Sequence, residues 1–314
     1  MRHFLSIAEH SPEELLHLLD LAARLKREHK SGGNPPLFQG KVLGMIFQKP
    51  SLRTRVSFDM AMRHLAGDAL YISPAEIGIG ERESIADISR VLSGYVDAVM
   101  ARVFAYDHIL ELAKYSRVPV INGLSDYNHP CQAMADALTL QEHFGALNGR
   151  KLAYIGDGNN VAVSLLHLCA KLGMHFSIAS PEGYALDDAV IRQAQAFAAA
   201  SGSRMVFCLN PEEAAAEADA LYTDTWVSMG QEGQSERRLA AFTGYQVNAR
   251  LLRAAKPDAV VLHCLPAHRG QEITDDVADG PQSLIFQESE NRLHAQKAIL
   301  VSLLAPDYAG SFVG

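Results

Sequence analysis

Two kinds of block alternate along this chain: short apolar runs, and longer segments in which apolar residues recur at helical spacing. The run Lys41 to Phe47 predicts a buried strand, and Ala69 to Ile72, Ala98 to Phe104 and Val118 to Ile121 predict three more. Arg53 to Leu65, Ser84 to Gly94 and His108 to Tyr115 fall between them with helical spacing. Upstream, Ser11-Pro12-Glu13-Glu14 is a cap signal that opens an amphipathic helix reaching Lys30. Gln132 to Phe144 predicts a long bridging helix. A second series then begins, with strands over Lys151 to Ile155, His175 to Ala179, Met205 to Leu209, Ala220 to Thr223 and Ala259 to Leu262. Helices running to Leu172, over Asp187 to Ala200 and over Pro211 to Ala218 separate its first members. Ser283 to Gln287 predicts a last strand and Glu290 to Leu304 a last helix. Such alternation predicts the α/β class, with parallel sheets flanked by helices.

At 314 residues the chain is long for one core, so two domains of similar size are expected. Their bounds are 1–143, with a C-terminal helix at 290–314 packing back on it, and 144–289. A net charge of -8 opposes nucleic acid as the main partner. No apolar run reaches the roughly 20 residues of a membrane span, and Met1 to Leu5 lacks the pattern of a secretory signal. The four cysteines, Cys131, Cys169, Cys208 and Cys264, have neither metal-type spacing nor a disulfide framework, which predicts a reducing, cytoplasmic setting.

Against that acidic background the basic turn Ser51-Leu52-Arg53-Thr54-Arg55 stands out. It follows a predicted strand, Pro50 blocks strand continuation, and Ser51 occupies an N-cap position. Free N–H groups, the positive helix end, two hydroxyls and two guanidinium groups make an oxyanion trap. An ordinary capped helix is the plainer reading, but its first turn favours acids, so the reversed charge asks for an external anion. Further polar groups fall at predicted strand ends, where open α/β sheets bind ligands. They are Arg102, His129-Pro130-Cys131-Gln132, Gly156 to Asn160, Asp224 to Gly230 and His263 to Pro266. Arg102 interrupts an apolar strand and must meet an anion or a structural partner. His129 at a helix start would keep a low pKa and donate to a carbonyl oxygen. Gly156-Asp157-Gly158 suggests a dinucleotide turn, but the third glycine falls at Val161, so a small ligand facing Asn160 fits better. Asp224 suits an amine. Cys264, flanked by His263, is a nucleophile or a polar contact, and since nothing in the sequence places a general base beside it in the manner of Cys-His enzymes, a covalent role is not expected.

Taken together, Ser51 to Arg55, Ala101-Arg102-Val103, His129 to Gln132, Gly156 to Asn160, Asp224 to Gly230, His263-Cys264-Leu265-Pro266 and Glu290-Asn291-Arg292 resemble the ornithine carbamoyltransferase family, nearly end to end. The first and third also occur in aspartate carbamoyltransferases, whereas Asp-x-x-x-Ser-Met-Gly and His-Cys-Leu-Pro point to ornithine. The resemblance implies a carbamoyl phosphate-binding first domain, an ornithine-binding second domain and an active site in the cleft between them. It implies that Ser51, Leu52, Arg53, Thr54, Arg102, His129, Gln132 and Arg292 hold carbamoyl phosphate. Cys264 and Leu265 would lie between the substrates, and Asn160, Asp224, Ser228 and Met229 would hold ornithine. Arg102, His129, Asp224 and Cys264 would carry the catalysis, with Thr54 helping to stabilise oxyanion charge. Neither cofactor nor metal is implied, and a homotrimer or a multiple of trimers is. Two departures stand out: Leu52 replaces a frequent Thr, and Gly78 stands where several members extend a polar side chain into a neighbouring subunit.

The implied reaction gives citrulline and phosphate by attack of the neutral ornithine amine, with domain closure supplying orientation and Trp226 to Gly244 serving as a lid. Rival acceptors are aspartate, putrescine and an acylated ornithine. Aspartate would need further cations for two carboxylates, and putrescine would leave Ser228-Met229-Gly230 idle. A non-catalytic sensor that retained the pocket would be expected to lack Arg53, Arg102, His129 or Asp224, and all four are present.

Overall fold

The computed structural model describes residues 2–78, 83–227 and 232–310. Its elements run α1 (Pro12–Lys30), β1 (Val42–Phe47), α2 (Leu52–His64), β2 (Asp68–Ile72), α3 (Pro74–Ile77), α4 (Ile85–Leu92), β3 (Ala98–Arg102), α5 (Tyr106–Tyr115), β4 (Val120–Leu124) and α6 (Pro130–Phe144). They continue β5 (Lys151–Ile155), α7 (Asn160–Leu172), β6 (His175–Ala179), α8 (Asp188–Ser201), β7 (Met205–Cys208), α9 (Pro211–Ala215) and β8 (Ala220–Thr223). The chain closes with α10 (Ser235–Ala241), α11 (Ala249–Leu252), β9 (Val260–His263), α12 (Asp275–Ala278), α13 (Ile285–Leu304) and α14 (Pro306–Gly310). Two compact units result, one of Met1–Leu138 with Glu290–Gly314, the other of Thr139–Ser289.

The first unit holds a four-stranded parallel sheet in the order β2-β1-β3-β4. Ile46, Val99, Ala101 and Val120 form its core with Ile88, Ile109 and Leu112 of the flanking helices. The residues from 290 onward are fastened to this unit by two buried ammonium groups: Lys26 Nζ donates to Asn291 Oδ1 at 2.7 Å, and Lys297 Nζ to Asn34 Oδ1 at 2.7 Å. The second unit holds a five-stranded parallel sheet in the order β7-β6-β5-β8-β9, with Ala153, Ile155, Leu221 and Val261 in its core. Each order reverses direction once, between β1 and β3 in the first sheet and between β5 and β8 in the second. Loops leaving the carboxyl ends of such neighbours diverge to opposite faces and open a crevice there.

Most predicted elements are present within a residue or two of their expected ends. The expected strand Ser283 to Gln287 is not one: Ser283 makes a single bridge to Val261, and α13 begins at Ile285. Its apolar run is too short to fill a strand. Glu288 must instead turn inward, where it accepts from the His263 N–H at 2.9 Å and the Tyr222 O–H at 3.2 Å. The fourth strand runs Val120–Leu124 rather than Val118 to Ile121, because Ser116 Oγ holds Val118 in a turn through its N–H and carbonyl. Among the described residues, no helix is long and apolar enough to cross a membrane.

Candidate active site

Where β1 and β3 part, Ser51 caps α2, its Oγ accepting the Thr54 N–H at 3.3 Å. Such a cap stabilises a helix by about 1 kcal/mol. The first turn of α2 holds no acid. Thr54 is fully buried, and its hydroxyl is a point of convergence. Arg292 Nη2 donates to Thr54 Oγ1 at 2.8 Å, Ser51 Oγ donates to the same oxygen at 3.1 Å, and Arg102 Nη1 donates to it, more loosely, at 3.4 Å. Guanidinium groups only donate, so Thr54 Oγ1 serves both of them as an acceptor. Arg53 Nε is buried without a hydrogen-bond partner. Gln48 braces the strand ends beside this group, its N–H donating to the Arg102 carbonyl at 2.8 Å and its side chain accepting the Phe104 N–H at 2.8 Å.

His129 is delivered to the same place by a buried polar knot after β4. Asn122 Nδ2 and Ser125 Oγ both donate to Asn128 Oδ1, while Asn122 and Asn128 both donate to the Leu5 carbonyl. These bonds brace the turn that precedes His129. Burial holds the His129 pKa well below 6.5, and Arg292, Arg102 and Arg53 push it further down. The imidazole is therefore neutral at pH 7. Gln132, also buried, spends its amide on Asp136 Oδ1 at 2.8 Å. Arg55, expected beside Arg53, is exposed and lies over the Tyr71 ring at 4.1 Å. Leu52 is 77% exposed, so only its backbone belongs to the turn. Gly78 ends α3 in the left-handed region with φ 48°.

In the second unit the β5–α7 turn and the residue after β8 meet at the other switch point. Asn159 joins the two. Its Oδ1 caps α7 by accepting the Val161 and Ala162 N–H groups, and its Nδ2 donates to Asp224 Oδ2 at 2.8 Å. Asp224 Oδ1 accepts from the Thr225 N–H at 2.7 Å and the Cys264 thiol at 3.0 Å. Tyr154 donates to Asn159 Oδ1 at 3.2 Å, and burial together with the Asp224 charge drives its pKa well above 10. Asn159 and Tyr154 escaped the sequence reading, since an Asn at a helix start reads as a cap and an apolar-strand Tyr as core. The turn is tight: a Cβ on Gly158 would sit 2.5 Å from the Leu186 nitrogen, so glycine is required by packing against the chain after β6. Arg238 of α10 pairs with Asp157 and donates to the Trp226 carbonyl at 2.5 Å. Ser228 and Met229 lie outside the described residues, as do 230 and 231 within the expected lid.

Asp224, His263 and Cys264 also bring three metal-type donor atoms within 4.8 Å of one another, which the spacing of the cysteines did not suggest. Their donors are already engaged. His263 Nδ1 accepts the Leu265 N–H at 2.9 Å, its Nε2 meets Glu272 at 3.1 Å, and the thiol is given to Asp224. That pattern fits a hydrogen-bonded cluster better than a ligand set.

The carbamoyl-P binding domain of the aspartate/ornithine carbamoyltransferases matches residues 2–142, and their Asp/Orn binding domain matches residues 148–303. The chain belongs to the aspartate/ornithine carbamoyltransferase family. Within it, the chain is 52% identical over 303 residues to the ornithine carbamoyltransferase of Anoxybacillus flavithermus, covering 96% of each protein. It is equally similar, with the same coverage, to the ornithine carbamoyltransferase of Pyrococcus abyssi. The solved ornithine carbamoyltransferase of Pyrococcus furiosus superposes with a TM-score of 0.94 at 50% identity, over 96% of this chain and 97% of that one. That of Thermus thermophilus gives 0.87 at 44% identity, over 96% and 98%.

The electrostatics of the first switch point yield a direct expectation. In protein labelled with 15N-histidine, the His129 ring nitrogens keep the shifts of a neutral imidazole from pH 8 to below pH 6.5, because the depressed group takes up its proton only at still lower pH. A midpoint at or above 6.5 contradicts the arrangement.

Proposed function

We propose that this chain transfers the carbamoyl group of carbamoyl phosphate to the side-chain amine of L-ornithine, giving L-citrulline and phosphate. The observation that carries the reading is the gathering of Arg53, Arg102 and Arg292 about Thr54 and a neutral His129. Like charges about 6 Å apart repel by roughly 2–3 kcal/mol at the effective dielectric of a protein site. A phosphate dianion reverses the sign of that energy, and guanidinium forks fit its oxygens. Ser51, Leu52, Arg53 and Thr54 offer the helix N-terminus to the phosphate, joined by Arg292. Arg102, His129 and Gln132 attend the carbamoyl group.

The acceptor belongs with the second unit, which is the ornithine-binding domain, as the first is the carbamoyl phosphate-binding domain. Asp224, held by Asn159 and the Thr225 N–H, keeps a carboxylate ready for a cationic or neutral amine. Asn160, Ser228 and Met229 hold the amino-acid head, and Cys264 and Leu265 border the reacting groups. A free ornithine amine resembles Lys, with a pKa near 10.4, so it sheds a proton before attack. As the new C–N bond forms, the carbonyl pair moves onto oxygen, where the Arg102 guanidinium, the neutral His129 N–H and the Thr54 O–H stabilise it. Collapse breaks the C–O bond, and phosphate departs with its electron pair into the Arg53 and Arg292 site, taking up the proton that the attacking nitrogen gives up. No step requires a cofactor or a metal. Ornithine is favoured over aspartate because the carboxylate of Asp224 repels an anionic side chain, and because the relatives carry ornithine in their names.

The assembly is a homotrimer or a multiple of trimers, and the compartment is cytoplasmic, in keeping with four free thiols. A stripe on α2 supports self-association: Leu52, Val56 and Met60 are spaced by one helical turn and exposed, and Leu70 on the edge strand β2 adds to them. Apolar surface concentrated in this way marks an interaction face.

Carbamoyl transfer is checked by incubating carbamoyl phosphate with ornithine, aspartate or putrescine in parallel and measuring the carbamoylated product. Citrulline forms at least 100-fold faster than either alternative product; preference for another amine overturns the acceptor, and silence in all three overturns the enzyme. Light scattering gives three chain masses or a multiple of that, and the double variant Val56→Lys/Met60→Lys falls to one; an unchanged assembly removes the α2 stripe from the interface.

A further inference from the structure

Leu265 is a bulky residue held in the left-handed region, with φ 58°. That conformation costs on the order of 1–3 kcal/mol and persists only where the surroundings over-determine it. The surroundings are explicit. The Leu265 N–H donates to His263 Nδ1 at 2.9 Å. A backbone N–H never accepts, so Nδ1 must present a lone pair and the ring proton must sit on Nε2. Nε2 faces Glu272 Oε1 at 3.1 Å, and both side chains are fully buried. Glu272 Oε1 is itself oriented by the His268 N–H at 2.5 Å. From the strand side, the His263 N–H is taken by Glu288, which also receives the Tyr222 hydroxyl. Cys264, between His263 and the strained Leu265, gives its thiol to Asp224.

We infer that His263 and Glu272 are positioning residues for carbamoyl transfer: Glu272 fixes the tautomer and direction of the His263 ring, and that ring fixes the Cys264–Leu265 backbone beside Asp224. The inference rests on the carbamoyl transfer proposed above and adds residues to it that touch neither substrate. Ring loss frees Leu265 to relax to negative φ, which turns the Cys264 and Leu265 carbonyls away from their set directions. Binding of phosphate by the other unit needs neither residue.

Four variants separate this brace from bulk packing. In His263→Asn the Oδ1 stands near the place of Nδ1 and still accepts the Leu265 N–H, whereas His263→Leu fills the space without an acceptor. Glu272→Gln keeps an acceptor for the ring proton and Glu272→Leu does not. His263→Leu and Glu272→Leu lose at least 30-fold in kcat with a raised KM for ornithine, while the Kd for inorganic phosphate stays within twofold of wild type. His263→Asn and Glu272→Gln keep kcat within about fivefold. A readout independent of turnover is hydrogen exchange at the Leu265 amide, which is protected in wild type and His263→Asn and exchanges at least tenfold faster in His263→Leu. Full turnover in His263→Leu, equal losses in the Asn and Leu variants, or unchanged amide protection in His263→Leu each overturns the brace. A wild-type protein with the expected exchange pattern but no citrulline formation overturns the carbamoyl transfer reading and, with it, the catalytic purpose of the brace, leaving only its geometry. If the Leu variants do not fold, the Asn and Gln variants decide: a loss above 30-fold in either one contradicts the acceptor logic.

Discussion

Repulsion among cations is the constraint on which this molecule turns. Arg53, Arg102 and Arg292 come from three separate stretches of chain, and folding brings them around one threonine hydroxyl and one neutral imidazole. Hydrophobic burial and parallel pairing must supply the free energy for that gathering, because bringing like charges together is itself unfavourable. Much of the surrounding structure can be understood as resistance to its dispersal. Gln48 ties the ends of β1 and β3, the asparagine knot after β4 aims His129, and Lys26 and Lys297 pin the helix that carries Arg292.

Topology decides where such a cluster can form. In the first sheet the order reverses between β1 and β3, and the cap of α2 and the terminal Arg102 flank that reversal. In the second, the reversal lies between β5 and β8, and the Asn159 turn and Asp224 flank it. One crevice is lined by donors and positive charge, the other centres on a carboxylate. The same architecture thus yields two polar clusters of opposite charge, the complements of the two classes of reactant that the proposed carbamoyl transfer joins. The carboxylate is kept in place by a side-chain amide, a backbone N–H and a thiol.

Much of this was readable from residue order, for reasons that differ by element. Short apolar runs with turn residues at fixed offsets specify parallel strands, and basic residues in a helix's first turn betray an external anion because the helix dipole disfavours them. Ser51, Arg53 and Arg102 were visible on those grounds. Arg55 was not separable from Arg53, since both sit in the same turn and only the position of Tyr71 sends one outward. Asn159 was hidden because capping and site roles demand the same residue type, Tyr154 because a tyrosine in an apolar strand reads as core, and Glu272 because a lone acid in a loop reads as solvent-exposed. The false strand at Ser283 arose from reading a short apolar run without knowing that Glu288 had to face His263 and Tyr222.

In the proposed reaction a doubly charged donor rests against the first turn of α2 and an amine is held at Asp224. A crystal grown with a bisubstrate mimic, a phosphonate joined through an acyl group to ornithine, tests it most directly. The phosphonate oxygens are expected within hydrogen-bond distance of the Arg53 and Thr54 N–H groups and of the Arg292 guanidinium, with the linking nitrogen nearest Asp224. A mimic bound anywhere else, with the α2 turn vacant, contradicts the account.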